Sequence, residues 1–129
     1  MLIVDAANVV GSRPDGWWRD RPGAATRLVA QLGAAVTAGR LAGPDLPVIV
    51  VLEGRARTAD PAPVPGVTVV RAQGSGDDAV VAATGEAAGG QPVAVVTADR
   101  TLAGRVRSAG GEIRPPGWLL DLLADIRQG

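Results

Sequence analysis

The 129-residue chain has no cysteine, histidine, tyrosine, phenylalanine or lysine; all 13 basic residues are arginine. Without cysteine there is no disulfide framework and no thiolate, as nucleophile or as metal ligand. Without histidine there is no Ser-His-Asp triad and no His/Cys zinc site, and without lysine no Schiff base or Lys-bearing phosphate loop. No apolar run reaches the roughly 20 residues of a membrane helix, and the run at 2–4 is too short for a signal-peptide core. The expectation is a cytoplasmic protein with no membrane contact. Formal net charge is +0, so binding to a polyanion would have to come from a local patch.

What is present is 47% hydrophobic residues, enough for one compact domain spanning 1–129. Short β-branched runs fall at 2–4, 48–52, 67–70 and 93–96, with a weaker fifth at 112–114. Between them lie Ala/Leu-rich stretches of helical length at 24–38, 77–88, 100–109 and 118–126. Near-continuous apolar strands alternating with helices predict a small doubly wound α/β domain, its parallel sheet covered by helices on both faces. The Pro-rich stretch 60–66 reads as a stiff surface connection.

Catalytic chemistry is left to Asp and Glu. Asp5 ends the first strand, Glu53 the second, and Asp99 follows the fourth, while Asp77 and Asp78 stand at the start of a helix. Ligands of open parallel sheets bind outside the carboxyl ends of the strands, so these residues converge on one edge. Clustered carboxylates repel one another, and a hard divalent cation such as Mg²⁺ or Mn²⁺ relieves the repulsion. Taken singly, each has a plainer reading: Asp77 or Asp78 as a helix cap, Asp5 and Asp99 as turn residues, Glu53 as a solvated loop residue. Asn8 is placed to orient Asp5 or to bind a metal-bound water, and Thr97 to position a water near Asp99. The segment "GSGDDA" formally fits a dinucleotide fingerprint, but Asp77 and Asp78 would set negative charge where a pyrophosphate should rest, so Gly74 and Gly76 are read as turn residues.

The segments "LIVDAANVVG", "VIVVLEGRAR", "GSGDDAVV" and "VAVVTADRTLAGRVRSAGGEI" together resemble the NYN division of the PIN-like nucleases, most of all its YacP-like group. The resemblance implies a PIN-like sandwich and metal-dependent hydrolysis of RNA phosphodiesters. It carries the acidic positions over to Asp5, Asp77 and Asp99, with Asn8 beside the first and Asp78 as an auxiliary. The family often has Asp where this chain has Glu53, whose longer reach makes a ligand role less direct. Two other readings fit the same edge: a catalytically silent module binding RNA or protein, and a hydrolase of small phosphorylated metabolites. Oligomeric state is open, as is association with ribosomes.

After the first strand comes "GSRPDGWWRDR", with Arg13, Arg19 and Arg21 around Trp17 and Trp18; Arg55 and Arg57 follow the second strand, and Arg100 adjoins Asp99. Arginine pairs with phosphate and tryptophan offers a stacking face to an unpaired base, so this set is the expected substrate-binding rim. The plainer reading packs one tryptophan on the helix starting near Ala24.

Overall fold

The structure, a computed structural model, describes residues 1–128. The chain forms β1 (Leu2–Asp5), α1 (Ala6–Gly11), α2 (Arg21–Thr37), β2 (Val48–Leu52), β3 (Val67–Arg71), α3 (Gly76–Ala87), β4 (Ala94–Val96), α4 (Arg100–Ser108), β5 (Glu112–Arg114) and α5 (Pro116–Gln128). Short 3₁₀ segments occur at Trp17–Arg19, Gly43–Asp45 and Gly54–Thr58. The five strands make one wholly parallel sheet in the order β3-β2-β1-β4-β5. Among the described residues no helix is long and apolar enough to cross a membrane.

Strand alternation divides the core in two. Leu2, Val4, Val48, Val50, Leu52 and Val96 face the layer of α1, α2 and α5, where Leu28, Leu32, Leu119 and Leu123 are buried. Ile3, Val51 and Val95 face the opposite layer, with Val80 of α3 and Leu102 and Val106 of α4. Because β1 is central, both of its faces are covered, which is why "LIV" reads as an unbroken apolar run rather than an alternating one. The edge strand β3 instead carries exposed Thr68 and Arg71, polar groups that discourage pairing with another chain.

All five expected strands form. Helix α1 was not expected, because six residues with two valines present no helical period; its start is fixed by Asp5, whose side chain caps it. Helix α2 begins three residues before the expected boundary, with Asp20 as N-cap and Pro22 in the first turn, where its missing N–H costs nothing.

The 60–66 connection is irregular and is seated closely against α2 at Val64 and Gly66. A Cβ on Gly33 would stand 2.6 Å from the Val64 Cβ. Gly33→Val is therefore expected to destabilise the fold by about 1–3 kcal/mol through overpacking, despite removing a helical glycine. Urea unfolding checks this; an unchanged midpoint would mean that the connection simply moves aside.

Candidate active site

The chain runs from β1 outward through β2 to β3, then returns to the other side of β1 to form β4. The crevice of such a sheet opens where the order reverses, between the ends of β1 and β4. Asp5 is the last residue of β1 and only 7% exposed. Its Oδ2 accepts the Thr97 hydroxyl at 3.0 Å, and its Oδ1 accepts the Asn8 backbone N–H at 3.4 Å. Thr97 Oγ1 in turn accepts the Asp99 N–H at 3.1 Å, and Asn8 Oδ1 accepts the Ala98 N–H at 2.8 Å. Asp99 caps α4 by accepting the Leu102 N–H at 3.0 Å. One hydrogen-bonded web thus ties the start of α1 to the loop between β4 and α4. Asn8 and Thr97 position the backbone and Asp5 within it.

Glu53 and the start of α3 complete the edge. Glu53 Oε2 accepts the Gly76 N–H at 2.9 Å. Gly76 is not a turn residue as expected but the first residue of α3, capped by Ser75. A Cβ there would lie 2.6 Å from the Glu53 carboxyl carbon, so only glycine lets the carboxylate reach the N–H. Asp77 and Asp78 follow, about 100° apart around the helix axis, and they part ways. Asp78 turns to Arg105 of α4, 2.9 Å away in an exposed ion pair. Asp77 is half-buried, and the charges of Asp99 and Glu53 act on it.

The electrostatics follow from this placement. Burial pushes the Asp5 carboxyl up to about 6; the Thr97 and Asn8 hydrogen bonds oppose the rise, and the charges of Asp77 and Glu53 add to it. Asp77 is also raised, first by burial and then by Asp99 and Glu53, with Arg105 pulling the other way. Asp5 therefore feels the charges of Asp77 and Glu53, and Asp77 those of Asp99 and Glu53.

Their oxygen donors suit a hard divalent cation. Among the described residues, no group of three acidic side chains is set to hold one metal ion by itself. Mg²⁺ does not require such a cage, since it keeps several waters and binds one or two carboxylates together with substrate phosphates. The chemistry of the oxygen donors fits the ion in that open form.

The arginine and tryptophan set divides into two groups. Trp17 packs against the core, with the Arg21 guanidinium 5.4 Å from its ring centroid. Trp18 is 54% exposed, meets Trp17 edge-on at 6.0 Å and carries Arg19 at 5.8 Å. Arg55 and Arg100 are exposed. Arg13 instead reaches Gln31 of α2 at 2.8 Å. Arg57, expected in the rim, donates to the Gly54 and Ala72 carbonyls, and Arg71 donates to those of Arg57 and Ala59, so the pair fastens the segment after β2 to the end of β3. "GRAR" alone gave no sign of which arginine would be spent on carbonyls. The Glu53–Gly76 bond was equally hidden, because it joins residues 23 apart.

No protein-family profile matches the chain, and no curated protein matches it. Two crystal structures of Rae1 (YacP) from Bacillus subtilis do. One superposes with a TM-score of 0.74 at 18% identity, over 99% of this chain and 75% of that one. The chain has a YacP-like fold. The second structure, of a point mutant of the same protein, gives a TM-score of 0.69 at 17% identity, over 98% of this chain and 76% of the other. At such identity the likeness concerns the fold, which this chain keeps with a largely different sequence.

Proposed function

We propose that the protein is a metal-dependent ribonuclease of the PIN-like NYN type, hydrolysing RNA phosphodiesters at the edge formed by Asp5, Asp77 and Asp99. The observation that carries this reading is the buried Asp5 carboxylate at the end of β1, joined through Thr97 to Asp99 at the crevice of the sheet. Asp5 and Asp77 come from different elements, and each is pushed up by burial and by neighbouring carboxylates at the crevice of the sheet. Perturbed groups gathered in a cleft mark functional sites. A YacP-like fold and the NYN-like motifs of the sequence support the same reading.

In this mechanism one or two carboxylates of the set Asp5, Asp77 and Asp99, together with a substrate phosphate, would hold a Mg²⁺ or Mn²⁺ ion, which would supply an acidified water and screen charge on the phosphate. Thr97 and the Asn8 N–H fix both oxygens of Asp5, so that carboxylate needs little reorganisation as substrate arrives. Arg100 and Arg55, exposed after β4 and β2, engage flanking phosphates.

The test offers structured RNA, single-stranded RNA and DNA to the purified protein with Mn²⁺ or with EDTA. Mn²⁺-dependent cleavage of RNA is expected, together with a rise in Tm on adding Mn²⁺, because the ion binds the folded site and not the unfolded chain. RNA binding without turnover would mark a silent RNA-binding module instead. Full inhibition by mononucleotides, with RNA a poor competitor, would mark a small-phosphate hydrolase.

A further inference from the structure

Beside the acidic edge lies a cleft of about 300 Å³, at the small end of the range for ligand pockets. Its floor and sides are small and apolar: Ala6 and Ala7 at the start of α1, Ala25 of α2, and Ala56 after β2. Larger residues at these positions would fill the space. One wall is Trp17 with Arg21 over its ring, and the Trp17 ring is steadied edge-on by Trp18. The acidic group of the lining is Glu53, whose Oε2 is anchored by the Gly76 N–H at 2.9 Å. The cleft adjoins the crevice directly, since Ala6 follows Asp5 in the chain and the Glu53 charge is felt at both Asp5 and Asp77.

We propose that this cleft takes one unpaired nucleobase next to the scissile phosphate, stacked at the Trp17–Arg21 wall and read at its edge by Glu53. This rests on the ribonuclease reading above and deepens it. Bases removed from a duplex are recognised by stacking on aromatic rings or guanidinium planes and by hydrogen bonds to their Watson–Crick edge. A carboxylate is an acceptor only, so it selects edges rich in N–H groups. Guanine presents two adjacent donors and pairs with both carboxylate oxygens. Adenine and cytosine present an amino group. Uracil, whose edge is mostly acceptor, is the poorest fit. Glu53 is thereby a specificity residue at the base, with the metal left to Asp5, Asp77 and Asp99.

The experiment uses the Asp99→Asn protein, so that binding is measured apart from turnover, and fluorescent single-stranded oligouridines carrying a central G, A, C, U or abasic site. In Mn²⁺ buffer, anisotropy is expected to show the G oligonucleotide binding about 10-fold more tightly than the U or abasic ones, the scale of one stacked and paired base. Ala7→Leu, at an exposed helical position that borders the cleft, should erase that difference while circular dichroism is unchanged. Glu53→Gln keeps an acceptor for Gly76 but loses the carboxylate; added to Asp99→Asn it should flatten the preference for G, and as a single substitution in the parent protein it should leave the Mn²⁺-induced Tm rise in place. Equal affinity for G and abasic oligonucleotides would overturn the proposal, as would a G preference that survives Ala7→Leu. Loss of the Mn²⁺ response in Glu53→Gln would make Glu53 a metal ligand and overturn its reading role. Cleavage by the parent protein without base discrimination sinks the cleft and spares the nuclease. Base discrimination without cleavage does the reverse.

Discussion

Asp99→Asn is expected to lower Mn²⁺-dependent RNA cleavage by at least about 10²-fold, the usual scale for removing one group that stabilises a developing charge. The fold should survive, because asparagine caps a helix as well as aspartate and can still accept the Leu102 N–H. Asp77→Asn should match this loss, since the charges of Asp99 and Glu53 act on Asp77. Asp78→Asn should change activity little. It breaks only the exposed pair with Arg105, and such pairs contribute about 0–1 kcal/mol. Single-turnover rates on one RNA compare all three variants. Full activity in Asp99→Asn would remove the nuclease assignment, and a larger loss in Asp78→Asn than in Asp77→Asn would transfer the role to Asp78.

Asp5→Asn should abolish cleavage and, in EDTA, make the protein more stable. The folded Asp5 carboxyl titrates near 6 against 3.8 for the free group, so ionisation opposes folding. By linkage the penalty is fully present above about pH 6 and fades as pH falls from there toward 3.8. A carboxyl raised this far costs the folded state about 3 kcal/mol at neutral pH. Asparagine retains an acceptor for Thr97 but cannot reproduce both carboxylate bonds, so a smaller gain is expected, a rise in Tm of about 5 °C. Calorimetry at pH 7.5 and pH 5 should show the advantage of the variant shrinking at the lower pH. A variant less stable than its parent at pH 7.5 would make Asp5 a structural residue.

Both expectations rest on residues that could be picked out from the sequence. The strands were legible because Val, Ile and Leu run unbroken where both faces of the sheet are covered, and the acidic residues at or just beyond the ends of the first, second and fourth runs mark the carboxyl edge. That pattern alone located Asp5, Glu53 and Asp99. The helix start at Gly76 separates Asp77 from Asp78, but only the Arg105 pair shows which way Asp78 turns. What stayed hidden depends on contacts between distant segments. The Thr97–Asp5 bond joins residues 92 apart. Helix α1 is held by its cap and its packing rather than by propensity. The cleft is made of alanines, which in sequence look like ordinary helix formers.

The web that fixes the crevice uses hydroxyl, amide and backbone groups: Thr97 to Asp5, Asp99 N–H to Thr97, Ala98 N–H to Asn8, and Gly76 N–H to Glu53. None of these bonds joins two formal charges. Screening acts on exposed charges, with a Debye length of about 10 Å at 0.1 M salt, and has little grip on short contacts of this kind. High ionic strength should therefore loosen phosphate from the arginine rim while leaving the arrangement of carboxylates intact. A salt titration of this protein reads substrate engagement separately from site architecture.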